Sequence, residues 1–186
     1  GTPYQGTVRI TTQDMASKPV DVTVNVTVRR RPHPIETPFA VHPSSNAQTQ
    51  PSMDYDPVSG LYGVAWSEPN STGSGIYVNL LNAEAAGVAN TLLATSGYAL
   101  NTRPFVVRNP GGGFFVIWER RDTALGPPDI QGRVVSSQGT PIGDVFSVAM
   151  GTLQERQPAA AANPDRGEVA VVYVSNGSTG QFDVYF

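Results

Sequence analysis

One stretch of this chain is written three times. "DPVSGLYGVAW" starts at Asp56, "NPGGGFFVIWE" at Asn109 and "NPDRGEVAVVY" at Asn163. The copies align through proline, since Pro51, Pro104 and Pro158 lie 53 and 54 residues apart. The aromatic residue that closes each apolar run recurs as Trp66, Trp118 and Tyr173. A later apolar residue recurs as Ile76, Ile130 and Val184. Self-similarity at a fixed period constrains a fold more than any single motif. Each unit must bury its apolar faces in the same way, against its neighbours.

Each unit resolves into strands. The first reads "SMDYD", "FVVRN" and "AAAAN". A turn follows, in which Asp56-Pro57, Asn109-Pro110 or Asn163-Pro164 leads to Gly60, Gly113 or Gly167. Asp or Asn before Pro suits the opening of a type I turn, and the Gly can take the left-handed conformation that closes the hairpin. The second strand is apolar on both faces: Phe114, Val116 and Trp118 point one way, Phe115 and Ile117 the other. A sheet with one wet face would alternate polar and apolar residues, so these strands belong in sheets stacked between other sheets. The third and fourth strands are "GIYVNLLN" and "NTLLATS", then "DIQGRVVS" and "DVFSVAM". A unit is therefore a four-stranded meander, with units at about 48–101, 102–155 and 156–186. Only 15% of residues are charged, while there are 19 Gly and 16 Pro, which also favours an all-β fold.

The period, the turn and the aromatic closing the apolar run resemble repeats of bacterial secreted proteins of the β-propeller type, over about residues 48–186. That resemblance implies three propeller-type blades and a secreted or bacterial cell-surface location. It implies no particular chemistry, because propellers serve as scaffolds and as enzymes. The front segment, "YQGTVRITTQDMASKPVDVTVNVTV", has alternating strands at about 6–13 and 19–28. It resembles the last hairpin of a bacterial immunoglobulin-like domain of the BACON kind, occupying residues 1–28. Residues 29–38, "RRRPHPIETP", form a stiff Pro-rich linker.

The chain lacks an initiator Met and a signal peptide and reads as a piece of something longer. The third unit stops in its third strand. Phe39, Ala40 and Val41 align with a fourth strand, so these residues or a partner are expected to complete that blade. A three-blade arc left open exposes an apolar face at each end. Burial at about 25 cal/mol per Å² makes such faces costly to leave in water. Strand-swap closure, the hairpin or another protein chain should cover them, with self-association the favoured partner reading.

The chemistry is sparse. The net charge is −3, so nothing suggests nucleic acid or an anionic membrane as a partner, and the three adjacent Arg at 29–31 read as a solvated linker rather than a basic patch. No apolar run approaches the ~18 residues a membrane-spanning helix requires. Cys is absent. His33 and His42 stand in Pro-rich segments with no metal-binding spacing, and no nucleophile motif occurs. Glycoside hydrolases use paired carboxylates, which directs attention to Glu68 and Glu119 beside the repeated aromatics, and to Asp54, Asp129 and Asp183 near strand ends. Recurrence at equivalent positions argues for capping over catalysis. The residues thus point to no catalytic set, no metal ligands and no cofactor, beyond weak Ca²⁺ binding by the Asp129 and Asp183 loops without EF-hand spacing. Trp66, Trp118 and Tyr173 read as core, while Tyr98 and Phe182 are the candidates for an exposed glycan-binding site. The function expected is a non-catalytic extracellular structural or protein-interaction module. A carbohydrate-binding module or a fragment of a propeller glycoside hydrolase is the alternative.

Overall fold

The structure, a computed structural model, describes residues 4–10, 20–26, 38–84, 86–94, 99–177 and 180–186. Tyr98, His33 and residues 29–37 of the linker lie outside them. The chain divides into two compact units, Gly1–Phe39 and Ala40–Phe186. In the first, β1 (Tyr4–Ile10) and β2 (Val20–Val26) form an antiparallel hairpin, in register from Tyr4 opposite Val26 to Ile10 opposite Val20.

The second unit is all-β and contains three propeller-type blades. The first is the meander β3 (Thr49–Asp56), β4 (Leu61–Pro69), β5 (Ser74–Leu81) and β6 (Gly87–Ala94). The second is β7 (Leu100–Arg108), β8 (Phe114–Arg121), β9 (Asp129–Val135) and β10 (Pro141–Ala149). The third is β11 (Glu155–Asn163), β12 (Glu168–Ser175) and β13 (Asp183–Tyr185). One parallel rung, Ser74 to Leu100, joins the first two blades edge to edge. Among the described residues every regular element is a strand.

The hairpin turns follow the local chemistry. Gly60, Gly113 and Gly167 have φ of 73°, 75° and 69°, the left-handed region where a Cβ is disfavoured. The first strand of each blade runs further back than the apolar pattern indicates, through the repeated proline. Gln50, Arg103 and Gln157, each immediately before that proline, have φ of 56°, 50° and 52°. A register shift accompanies each one. A proline cannot donate to a ladder, so a bulge at this point lets the strand continue past it.

Packing explains the two-faced apolar strands. Ala65, Ile76, Val78, Leu80 and Leu93 of the first blade meet Val106, Phe114, Val116, Trp118 and Val135 of the second. The second blade's other face, with Val107, Phe115, Ile117 and Ile130, meets Ala160, Ala162, Val169, Val171 and Tyr173 of the third. Each blade junction is thus filled by apolar side chains from both of the sheets that meet there. Trp118 is wholly buried, Trp66 nearly so, and Tyr173 partly. At one junction a Cβ on Gly63 would lie 2.7 Å from Phe114 Cδ1, so only glycine admits that ring.

The two end faces differ. On the first blade, Val64, Trp66 and Leu81 are covered by Val41, whose carbonyl accepts a 2.8 Å hydrogen bond from Asn79 Nδ2. This corrects the expectation that residues 39–41 complete the third blade as a strand: they lie in no strand, and the third sheet has three described strands. Val41 packs instead on the apolar surface of the first blade. The outer face of the third blade, including Val172 and Val184, is uncovered. Pro51 is exposed, whereas Pro104 and Pro158 are buried between blades.

Gly63→Ala is expected to destabilise the protein by about 1–3 kcal/mol, because buried Phe114 must shift in a filled core. Urea unfolding midpoints of the variant and the parent check this.

Candidate functional site

The polar residues most able to do chemistry gather where the first strands of neighbouring blades meet. The backbone N–H of Arg103 donates to Gln50 Oε1 at 2.8 Å, and that of Gln157 to Glu119 Oε1 at 2.7 Å. The left-handed residue of the second blade and that of the third are therefore each latched by a side chain from the preceding blade. Further along, Val106 N–H donates to Ser52 Oγ and Arg108 N–H to Asp54 Oδ2. These first strands line a groove of about 250 Å³ between Met53, Asp54, Phe105, Arg108 and Ala161.

Glu119 is fully buried and also accepts from Arg103 Nη1 at 2.7 and 3.0 Å, while the Arg103 side chain is 45% exposed. Both carboxylate oxygens are thus occupied by groups of its own fold. Glu68 is also buried. It accepts from Ser44 Oγ at 2.6 Å, Asn46 Nδ2 at 3.2 Å, Gln48 Nε2 at 3.1 Å and Trp66 Nε1 at 3.2 Å. Burial pushes its carboxyl up, but the four donors outweigh that and hold its pKa at about 2. His42 and Tyr77 stack on Trp66 with ring centroids at 5.7 and 5.8 Å, and Asn90 Nδ2 donates to His42 Nδ1. Glu68 is the polar anchor that ties residues 42–48 over the apolar end of the first blade.

The structure does not assemble the sequence candidates into one site. Glu68 and Glu119 share no partner. Asp54 accepts from the backbone of Tyr55 and Arg108, and Asp129 from Gly151 N–H at 3.2 Å. Asp183 stands opposite Ser175 on exposed β13. Phe182 is 46% exposed, with the Arg156 guanidinium 5.5 Å over its ring. Among the described residues no group of three or more His, Cys, Asp or Glu side chains is arranged to hold a metal ion.

Two recurring positions lay outside the sequence reading. The residue before the repeated proline is polar in every unit (Gln50, Arg103, Gln157), and so is the residue three before it (Gln48, Asn101, Glu155). That recurrence was a readable signal. Asp56, read from the sequence as opening its turn, caps that turn by accepting from Val58 N–H and from Ser59 N–H and Oγ. Burial raises its carboxyl, but these donors leave it below the ordinary value.

The chain matches no family model, and no curated protein matches it. Among solved structures it is similar to the crystal structure of an endo-arabinase from Bacteroides thetaiotaomicron. The TM-score is 0.54 at 14% identity, over 99% of this chain and 72% of that one. That neighbour is a β-propeller glycoside hydrolase, and the likeness is one of fold. Among the described residues no helix is long and apolar enough to cross a membrane.

Two predictions follow from the latches. The Glu68 pKa is lowered from an ordinary 4.5 to about 2, so its contribution is fully present above pH 4.5 and is lost as pH falls toward 2. Glu68→Gln should cost on the order of 2 kcal/mol near neutral pH, and the gap to the parent should narrow below about pH 4; urea midpoints across pH measure both. Glu119→Ala should cost about 2–4 kcal/mol, since it strips a buried acceptor from Gln157 N–H and Arg103; thermal unfolding followed by circular dichroism checks it.

Proposed function

We propose that the chain is a non-catalytic extracellular module of a bacterial surface protein or assembly. It acts by packing the outer face of its third blade on a second copy of itself. The observation that carries this reading is a break in burial at equivalent repeat positions. Ile76 and Ile130 are 0% exposed, because the following blade covers each; Val184, in the same slot, is 74% exposed. Ala65 and Ile117 are likewise 0% exposed, and their counterpart Val172 is 36%. Sequence wrote the third blade for a neighbour. Ala161, Ala170, Val172 and Val184 share that face, since Ala161 pairs with Ala170, and β13 adds an open edge beside them.

The geometry of association follows from the other end. The first blade's apolar face is already covered by Val41 and His42. A head-to-tail chain of copies would have to displace that cover, whereas two third-blade faces meeting across a two-fold axis displace nothing. The modest size of Ala161, Ala170, Val172 and Val184 suits such a self-complementary contact. The buried states of Glu68 and Glu119 support the absence of catalysis, because each carboxylate is committed to backbone and side-chain donors of its own fold.

Light scattering after size exclusion should find a dimer whose population rises with concentration, and Val172→Glu should yield a monomer with an unchanged circular dichroism spectrum. A parent chain that stays monomeric at every concentration would sink this reading. The second reading, part of a propeller glycoside hydrolase, is favoured by the fold likeness to the endo-arabinase and by the groove between the first strands. Release of reducing sugar from an arabinose-containing polysaccharide, abolished by Glu119→Gln, would support it over the first.

A further inference from the structure

The junction between the second and third blades departs from the junction before it at one buried position. Asn101 and Glu155 occupy the same slot, three residues before a repeated proline. Asn101 is 2% exposed and well partnered. Its Oδ1 accepts from Trp118 Nε1 at 3.1 Å, its Nδ2 donates to the Ser74 carbonyl at 2.8 Å, and its own carbonyl accepts from Ser67 Oγ and Ser74 Oγ at 2.7 Å. Glu155 is 6% exposed and has none of these side-chain donors. Where Asn101 has Ser74, Glu155 has Pro128, whose carbonyl takes the Glu155 N–H at 2.9 Å. The repeat position of Trp118, whose indole N–H serves Asn101, is occupied in the third blade by Tyr173, which has no indole N–H to donate.

The consequence is an unpaired carboxylate. Glu155 Oε2 is buried without a hydrogen-bond partner. Ser175 pairs with Glu155 across β11 and β12, is 3% exposed, and its Oγ is likewise buried without a partner. Ser175 alternates with Tyr173 and Val171 along β12, so it faces the second blade, as Glu155 does. Asp129, at the start of β9, follows Pro128, whose carbonyl holds the Glu155 N–H, and its Oδ1 accepts from Gly151 N–H in the segment that leads into β11. Burial first, and then the charge of Asp129, push the Glu155 carboxyl above its ordinary value. Two acids and a hydroxyl thus stand at one junction, where Glu155 Oε2 and Ser175 Oγ are both left unmatched. Buried oxygens left unmatched are costly, and more so when charged.

We propose that this junction binds a divalent cation of the Ca²⁺ class, held by Glu155, Asp129 and the Ser175 hydroxyl. The ligands are all oxygen, which suits a hard cation, and sulfur and imidazole are absent from the set. Carboxylates from β9 and β11 would then be drawn together across the boundary between two blades. The ion supplies there what Trp118, Ser67 and Ser74 supply at the previous junction. It is a site of assembly rather than reaction, and it adds to the function proposed above without depending on it.

Titration of the full chain with CaCl2 tests the assignment, by calorimetry and by thermal unfolding. An extracellular-type site has a dissociation constant of about 10⁻⁴–10⁻³ M. At roughly ten to a hundred times that concentration the Tm of the parent should rise by about 3–10 °C. Glu155→Gln should abolish the rise. Asp129→Asn, which keeps an acceptor for Gly151 N–H, should weaken Ca²⁺ binding at least tenfold while the protein stays folded. Terbium luminescence, displaced by CaCl2 in the parent and lost in both variants, gives a readout independent of stability. A parent that shows neither heat nor a Tm rise, or variants that respond to CaCl2 as the parent does, would overturn the site.

Discussion

The structure depends on the face-to-face stacking of its blades, which buries apolar residues on both sides of the second sheet. Phe114 fits because Gly63 has no side chain. At the next junction Val169, Val171 and Tyr173 pack with Phe115 and Ile117. Since every blade uses both faces, no blade can be finished alone. One end of the stack uses the chain's own residues 41–48, pinned by Glu68; the other presents Val172 and Val184.

Polar groups at the blade junctions do a second task. The bulge before each repeated proline frees backbone groups that sheet pairing leaves unmatched. Gln50 satisfies one such N–H at the first junction and Glu119 satisfies its equivalent at the second. A neutral amide and a carboxylate thus fill one role, and the carboxylate takes a partly exposed arginine with it. Glu155 is where the substitution of acid for amide leaves an atom without a partner. Departures from the repeat, more than the repeat, mark the positions that carry individual chemistry.

Much of the fold was legible because its signals are local. Asp56-Pro57 with Gly60, and the double-faced apolar run "FFVIW", are read within a few residues, and they specify turns and stacked strands. Phe39 to Val41, one of the two ways offered for completing the third blade, do not form that strand, because an aligned segment looks like a strand even when its apolar residue is taken by another surface. In the fold, Val41 is taken by the apolar surface around Trp66. The carboxylates were recognisable as candidates, but their occupancy was not. Glu68 is bonded by residues 20 to 24 positions away, and Glu119 by Gln157, 38 positions away.

By itself the sequence determined the period, the number of strands per blade, the turn glycines and the two-faced character of the sheets. These rest on backbone preferences and on alternation along a strand, which need no distant partner. Tertiary structure alone decided which apolar face is covered, which carboxylate is saturated with donors and which buried oxygen is left over. Those outcomes turn on side chains brought from other blades, and hydrogen bonding and burial are decided only when the blades meet.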